Sequence, residues 1–376
     1  YTGGDSNGGL TGLRDKVVGV IGTGATAVQC VPHVGAGAKQ LYVFQRTPSS
    51  IDVRNNRPTD PAWAASLQPG WQQHRMDNFN TLVSGGFAQE DLVNDGWTDI
   101  IRKLLLMVRE DQGGAVSRDG IAKTLELADF HKMEQIRARV DAIVRDPETA
   151  EALKPYYRQF CKRPCFHDEY LPTFNRPNVH LVDTKGKGVE RITKKGVVVD
   201  GREIELDCLI YATGFEVATE YKRRAGFETT GRGGLTLSEK WRDGYRTFHG
   251  LHLHDFPNCF MMSLAQSGYT LNFPYMIDVQ ARHVAYVIGE AMARGARTVE
   301  ATPSAEDEWC ATLAQRAATF DRSFAEQCTP SYYNNEGKPD VKSLDRNFFF
   351  GGPTEFDGVL AAWRAEGSLR GLVLTR

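Results

Sequence analysis

Six consecutive residues, Gly22-Thr23-Gly24-Ala25-Thr26-Ala27, have the types and the spacing to hold a pyrophosphate. They follow the apolar run that ends in Val20-Ile21, which reads as a buried parallel strand, and lead through Ala27-Val28 into a helix. G-x-G-x-x-A in a strand–turn–helix setting is a dinucleotide-binding fingerprint. Gly22 permits the tight turn, Gly24 lets the backbone approach phosphate, and Ala27 keeps helix and strand close. The helix start then offers unbonded N–H groups and a positive dipole end.

A second apolar strand, Leu41 to Phe44, ends at Gln45-Arg46-Thr47. Units of this kind that bind NAD place Asp or Glu some twenty residues past the glycines to hold the ribose 2′-OH. Arg46 stands there instead, and a guanidinium suits a 2′-phosphate. The combination predicts an NADPH site. Farther on, Lys162 and Arg163 form an adjacent pair within Tyr156–Phe166, fixed by Pro164 and surrounded by aromatics, which is unusual for a solvated loop. In His249-Gly250-Leu251-His252-Leu253-His254-Asp255, His252 and His254 read as one face of a strand. Without a fourth ligand in view, no metal is expected there.

The elements that must position these groups sit in an ordinary globular chain. It has 376 residues, 41% hydrophobic and 24% charged, with a net charge of −2, so no electrostatic case exists for nucleic acid or an anionic membrane. No apolar run reaches the ~18 residues of a membrane span, and no signal peptide is visible. Seven scattered cysteines fit reduced, cytoplasmic thiols better than a disulfide framework. The Gly-rich start at Tyr1 suggests the middle of a larger protein.

Residues 54 to 155 read as a helical insertion, with Trp63 and Trp71 as packing anchors. Helical spacing is expected from about Trp97 to Val108 and from Ile121 to Val144, where Asp146-Pro147 breaks it. Asn178 to Val182 is a strand, and Gly188 to Asp207 a β-meander around Lys195-Gly196 and Asp200-Gly201. Cys208 to Tyr211 is a buried strand running into Ala212-Thr213-Gly214. Phe256 to Met262 is a loop entering a strand, Gln266 and Ser267 lie in a small polar turn after it, and helices follow at about 305–327 and 355–363.

GTGATAVQ, FQRTPSS, CKRP, FNRPNV and IYATGF, in this order and spacing, resemble the Baeyer–Villiger monooxygenases among the class B flavoprotein monooxygenases. YTGGDSNG, RTPSSIDVRNNRPTD and CTPSYYNNEG are similar to the cyclopentadecanone monooxygenase-like branch, which handles bulky cyclic ketones. The resemblance implies an α/β architecture: a Rossmann-like NADPH domain with an all-helical insertion, plus the C-terminal part of an FAD domain. It places the NADPH domain at 1–53 and 156–215, the insertion at 54–155 and the FAD-domain part at 216–376.

The resemblance also implies the chemistry. NADPH reduces FAD, reduced FAD activates O2, and one oxygen enters beside a ketone carbonyl to give an ester or lactone. For NADPH it implies Gly22, Thr23, Gly24, Ala25, Thr26, Ala27, Gln29, Arg46, Thr47 and Lys162. Ala212, Thr213 and Gly214 would also contact cofactor where the chain leads back toward the FAD domain; there the turn holding Gln266, Ser267 and Asn272 would meet the flavin and start a long helix at about 275–294. Arg163 matches the family's active-site arginine, whose positive charge suits the negative charge that develops during oxygen insertion. The family's FAD fingerprint, its active-site Asp and its His/Trp motif do not occur here, so a missing N-terminal segment is an expected partner. The alternatives are an NADP-binding fragment or subunit, and a flavin N- or S-monooxygenase.

Overall fold

The computed structural model describes residues 9–102, 118–215, 221–318, 328–331, 334, 337 and 348–376. The chain divides into two compact units. The first is Tyr1–Ser66, Asp95–Val217 and Ser331–Tyr333; the second is Leu67–Asn94, Ala218–Pro330 and Asn334–Arg376.

The first unit is built on a four-stranded parallel sheet of β1 (Val17–Ile21), β2 (Gln40–Gln45), β5 (Val179–Asp183) and β9 (Cys208–Tyr211), in the order β5-β2-β1-β9. Val18, Val20, Leu41 and Val43 are wholly buried, as strands covered on both faces require. Helix α1 (Ala25–Gly37) connects β1 to β2 and buries Ala27, Val28, Val31 and Val34. The chain leaves β1 toward β2 on one side and reaches β9 on the other. The carboxyl ends of β1 and β9 therefore flank a topological switch point, where open α/β sheets bind ligands. β9 is less buried than its apolar run suggests: it is an edge strand, and Tyr211 is 62% exposed.

Between β2 and β5 the chain makes β3 (Ile51–Asp52) and β4 (Cys165–Phe166), which pair in parallel. A helix over Arg118–Ile143 precedes a short one over Pro147–Leu153, whose N-cap Asp146 accepts from the Thr149 amide. Residues 96–102 are helical, whereas the expected continuation through Val108 lies outside the described residues. The meander is β6 (Arg191–Ile192), β7 (Gly196–Val199) and β8 (Arg202–Glu205), all antiparallel. Asp200 and Gly201 both have positive φ, which makes the predicted two-residue turn.

In the second unit, helices Phe273–Ala293, Pro303–Ala317 and Gly352–Glu366 enclose a core that includes Met276, Leu313, Phe356 and Leu360. Two small pairings complete it: β10 (Ser267–Gly268) with β12 (Phe348–Phe349), and β11 (Thr298–Ala301) with β13 (Leu372–Thr375). Helix Trp71–Val83 also belongs here, so the helical stretch read as one insertion is shared between units. Buried Asn80 on it accepts from Thr270 at 3.0 Å. Trp63, expected as a packing anchor, is 42% exposed, and its short helix Pro61–Ser66 contains no buried residue.

Candidate functional site

Gly22 follows β1 with φ 115°, a left-handed value that disfavours any side chain. A Cβ there would lie 2.3 Å from the Ala212 carbonyl oxygen, so Gly22 lets the ends of β1 and β9 close. The Ala212 amide donates to the Ile21 oxygen at 2.9 Å. Gly24 presents the opposite case. Its φ of −76° is open to any residue, and a Cβ would meet nothing within 4 Å. Nothing among the described residues requires glycine at 24; a group that must approach the backbone would. Gly24 is the N-cap of α1 and carries no side chain to bond the first-turn amides of Ala25, Thr26 and Ala27. The first-turn N–H groups of a helix have no partner within the helix itself. Exposed Gln29 turns back to the Ala25 oxygen at 3.0 Å.

The turn is tied to the loop after β2. Thr23 donates from its hydroxyl to the Thr47 oxygen at 2.8 Å, and Ser49 donates to the Thr23 oxygen at 2.6 Å. Arg46 is exposed at that strand end, and its carbonyl accepts from the Gly186 amide at 3.0 Å. The β3–β4 pairing brings the Lys-Arg motif to this loop: the Cys165 amide donates to the Ser50 oxygen at 3.1 Å. Lys162 then donates from Nζ to the Thr47 hydroxyl. A lysine ammonium and a hydroxyl thus meet one residue past Arg46, in a loop tied to the glycine-rich turn by Thr23, an arrangement suited to a phosphate ester.

Arg163 goes elsewhere. Its guanidinium lies 5.6 Å from the centre of the Trp97 ring, and that ring packs edge-on against Phe166 at 5.1 Å. Thr213 and Gly214 are exposed past the end of β9.

The flavin-side expectations fare differently in the second unit. Gln266 and Ser267 were expected to offer side chains to a flavin edge, yet both are fully buried and committed to their own chain. Gln266 Oε1 accepts from the Thr247 amide and hydroxyl at 2.9 and 2.6 Å, and its Nε2 donates to the Tyr245 oxygen. The Ser267 hydroxyl donates to the Ser263 oxygen. Asn272 caps the long helix through the Tyr275 amide. Beside it an open cleft is lined by Trp71, Met76, Phe79, Val93, Leu271 and Asn272, among others.

The histidine segment is a tight turn and not a strand face. His249 and Gly250 have positive φ, and Phe248 bridges to His252. Phe256–Met262 likewise contributes only the isolated bridge His252–Phe260 in place of the expected strand. His249 and His252 are buried with His283 among Trp309, Trp363 and Phe248. Ligand-type atoms of His254, Asp255 and Glu300 do gather within 4.8 Å. Glu300, however, is already engaged by Arg232 at 2.8 Å and by the Asp255 amide at 3.0 Å.

Two residues that hold this site carried no assigned role in the sequence. Tyr157 joins the Lys162 segment to Pro48 and Ser50, and Asp129 joins it to the Arg118–Ile143 helix. The aromatics before Lys162 were the only hint of the former. A lone acid on a charged helix gave no signal of the latter.

No family model matches the chain. Over 376 residues it is 55% identical to neopentalenolactone D synthase of Streptomyces avermitilis, covering all of this chain and 63% of that protein. It is 49% identical to a Baeyer–Villiger monooxygenase of Stachybotrys chlorohalonatus, over 99% of this chain and 60% of the relative. The solved polycyclic ketone monooxygenase of Thermothelomyces thermophila superimposes with a TM-score of 0.87 at 38% identity, over 99% of this chain and 61% of that one. An open crystal structure of cyclohexanone monooxygenase follows at 30% identity and a TM-score of 0.69, with 97% and 67% covered. The chain belongs to the Baeyer–Villiger monooxygenase family. This family member spans less than two thirds of the curated relatives named here. Its Rossmann-like sheet and helices agree with the expected α/β class. Nothing in these likenesses supports a separate partner chain carrying the FAD fingerprint, or favours the NADP-fragment and N- or S-oxygenation readings. Among the described residues no helix is long and apolar enough to cross a membrane.

Proposed function

We propose that the chain is the NADPH-binding and distal flavin-domain part of a Baeyer–Villiger monooxygenase. The protein would use FAD and NADPH to insert one oxygen of O2 beside the carbonyl of a bulky or cyclic ketone. The carrying observation is the Lys162–Thr47 contact beside the strand end that bears Arg46, with Thr47 tied to the glycine-rich turn through Thr23, in a chain 55% identical to a lactone-named synthase over its whole length. The name of the polycyclic ketone monooxygenase supports the substrate size.

In this reading residues 1–53 and 156–215 form the NADPH domain, 54–155 the insertion, and 216–376 the C-terminal part of the FAD domain. The α1 amides and Gly24 hold the pyrophosphate; Arg46, Thr47 and Lys162 hold the 2′-phosphate; Arg163 faces the developing negative charge. Thr213 and Gly214 continue from β9 toward the flavin side. When bound, the flavin supplies the oxygen chemistry, and the protein orients and stabilises it. The fit is best on the NADPH side. On the flavin side, Gln266 and Ser267 act by shaping the turn, and Asn272 by starting the helix. A cytoplasmic location belongs to this reading through the scattered, odd cysteine set, although Cys161 and Cys328 are disulfide-bonded, against the reduced thiols expected from the sequence.

Arg163→Ala in the full-length holoenzyme tests the central assignment. NADPH should still bleach the flavin absorbance while conversion of a cyclic ketone to its lactone stops. Retained lactone formation removes Arg163 from the oxygenation step. Sulfoxide or N-oxide as the sole product, with no lactone, would overturn the reaction type.

A further inference from the structure

We infer that Tyr157 is a positioning residue for the 2′-phosphate pocket: it holds the Arg46–Thr47 loop and the Lys162 ammonium in one geometry and so sets the preference for a 2′-phosphorylated ribose. This rests on the NADPH reading of that pocket.

The hydroxyl of Tyr157 donates to the Pro48 oxygen at 3.0 Å and accepts from the Ser50 amide at 3.0 Å. These two groups bracket the residues immediately after Arg46 and Thr47. Burial raises the phenol's pKa, so the hydroxyl keeps its proton and its donor role at neutral pH. The ring of the same residue lies 5.6 Å from Lys162 Nζ, within reach of a cation–π contact. One side chain therefore touches both halves of the pocket.

The following residues are clamped as well. Asp129, nearly buried, accepts from Arg158 Nε at 2.9 Å and from the Gln159 amide at 2.9 Å. The backbone leading to Lys162 is held at Tyr157 by the loop and at Arg158 and Gln159 by the helix. A lysine is a mobile point charge on a flexible stem, so ordering it before a ligand arrives improves affinity for the group it meets. Here that group is the 2′-phosphate, and the remainder of the nucleotide gains nothing.

Binding of 2′,5′-ADP and of 5′-AMP to the full chain, followed by calorimetry, separates this role from a general structural one. The parent protein should prefer 2′,5′-ADP, and Arg46→Ala should remove that preference. Tyr157→Phe keeps the ring and removes the hydroxyl. It should weaken 2′,5′-ADP about tenfold, the scale of one or two hydrogen bonds, and leave 5′-AMP within about twofold. An unchanged preference in Tyr157→Phe overturns the inference and leaves the pocket reading standing. Equal weakening of both ligands overturns it too. No preference in the parent protein removes the pocket reading and the inference together. Should Tyr157→Phe fail to fold, Asp129→Asn decides: the same selective loss supports the clamp, and an unchanged preference overturns it.

Discussion

Lys162 Nζ donates to the hydroxyl of Thr47, a residue 115 positions earlier in the chain. The contact exists because β3 and β4 pair in parallel, so that the loop after β2 and the approach to the Lys-Arg motif run side by side. A long helical excursion separates these strands in sequence and costs little, since loop closure grows only slowly with length.

Arg46→Ala should raise the dissociation constant for NADPH by about ten- to a hundredfold, the range of a lost charged hydrogen bond, and barely affect NADH. Titration of both nucleotides against the variant checks it. Equal losses for the two would place Arg46 outside the phosphate contact.

The two fingerprint glycines should behave differently. Gly22→Ala pushes a methyl to 2.3 Å from a backbone oxygen at φ 115°, and should cost several kcal/mol or prevent folding. Gly24→Ala meets nothing and keeps an allowed φ, so its stability cost should stay near the ~1 kcal/mol of a poorer N-cap. It should nevertheless weaken NADPH. Denaturant melts beside nucleotide titrations separate the two; a Gly24→Ala protein with intact NADPH affinity would contradict the pyrophosphate assignment.

Acid should destabilise the second unit. Burial first, and then the neighbouring His283, lowers His252 to about 3; burial and Arg364 lower His283 to about 3. His249 is lowered as well, by burial and by these neighbours with Arg370. The folded state keeps these rings neutral while the unfolded chain protonates them near 6.5, so stability is full above pH 6.5 and falls toward pH 3. At pH 5 each of His252 and His283 should cost about 2 kcal/mol. Urea melts at pH 7 and pH 5 read the difference, and His283→Phe should flatten it. A profile that His283→Phe leaves unchanged would assign the acid sensitivity to other groups.

Lys240 and Glu306 form a buried ion pair at 2.8 Å, and Glu306 Oε1 also accepts from the His254 amide. Burial pushes the Glu306 carboxyl up, against the pull of its donors and of Lys240. Lys240→Met should destabilise the unit by about 3–5 kcal/mol by leaving a charge unpaired. Adding Glu306→Gln should recover part of that loss. A loss below ~1 kcal/mol in the single variant would mean that water reaches the carboxylate.

Local order and family were legible in the residues. Val17–Ile21, Gly22–Ala27 and Gln40–Arg46 carry strand, turn, helix and second strand in one short run, because each step depends on neighbours within a few positions. The meander was equally readable from Asp200-Gly201, and the long helix after Asn272 from the family resemblance. Tertiary structure decided what lies across distance. It placed Tyr157 and Asp129 around Lys162, assigned helix Trp71–Val83 to the second unit, left Trp63 exposed and turned Gln266 inward. Residue type alone could not separate Gln266 as a ligand-facing amide from Gln266 as an internal one. The choice depends on which donors and acceptors the fold brings to Thr247 and Tyr245, and those come from another turn of the chain.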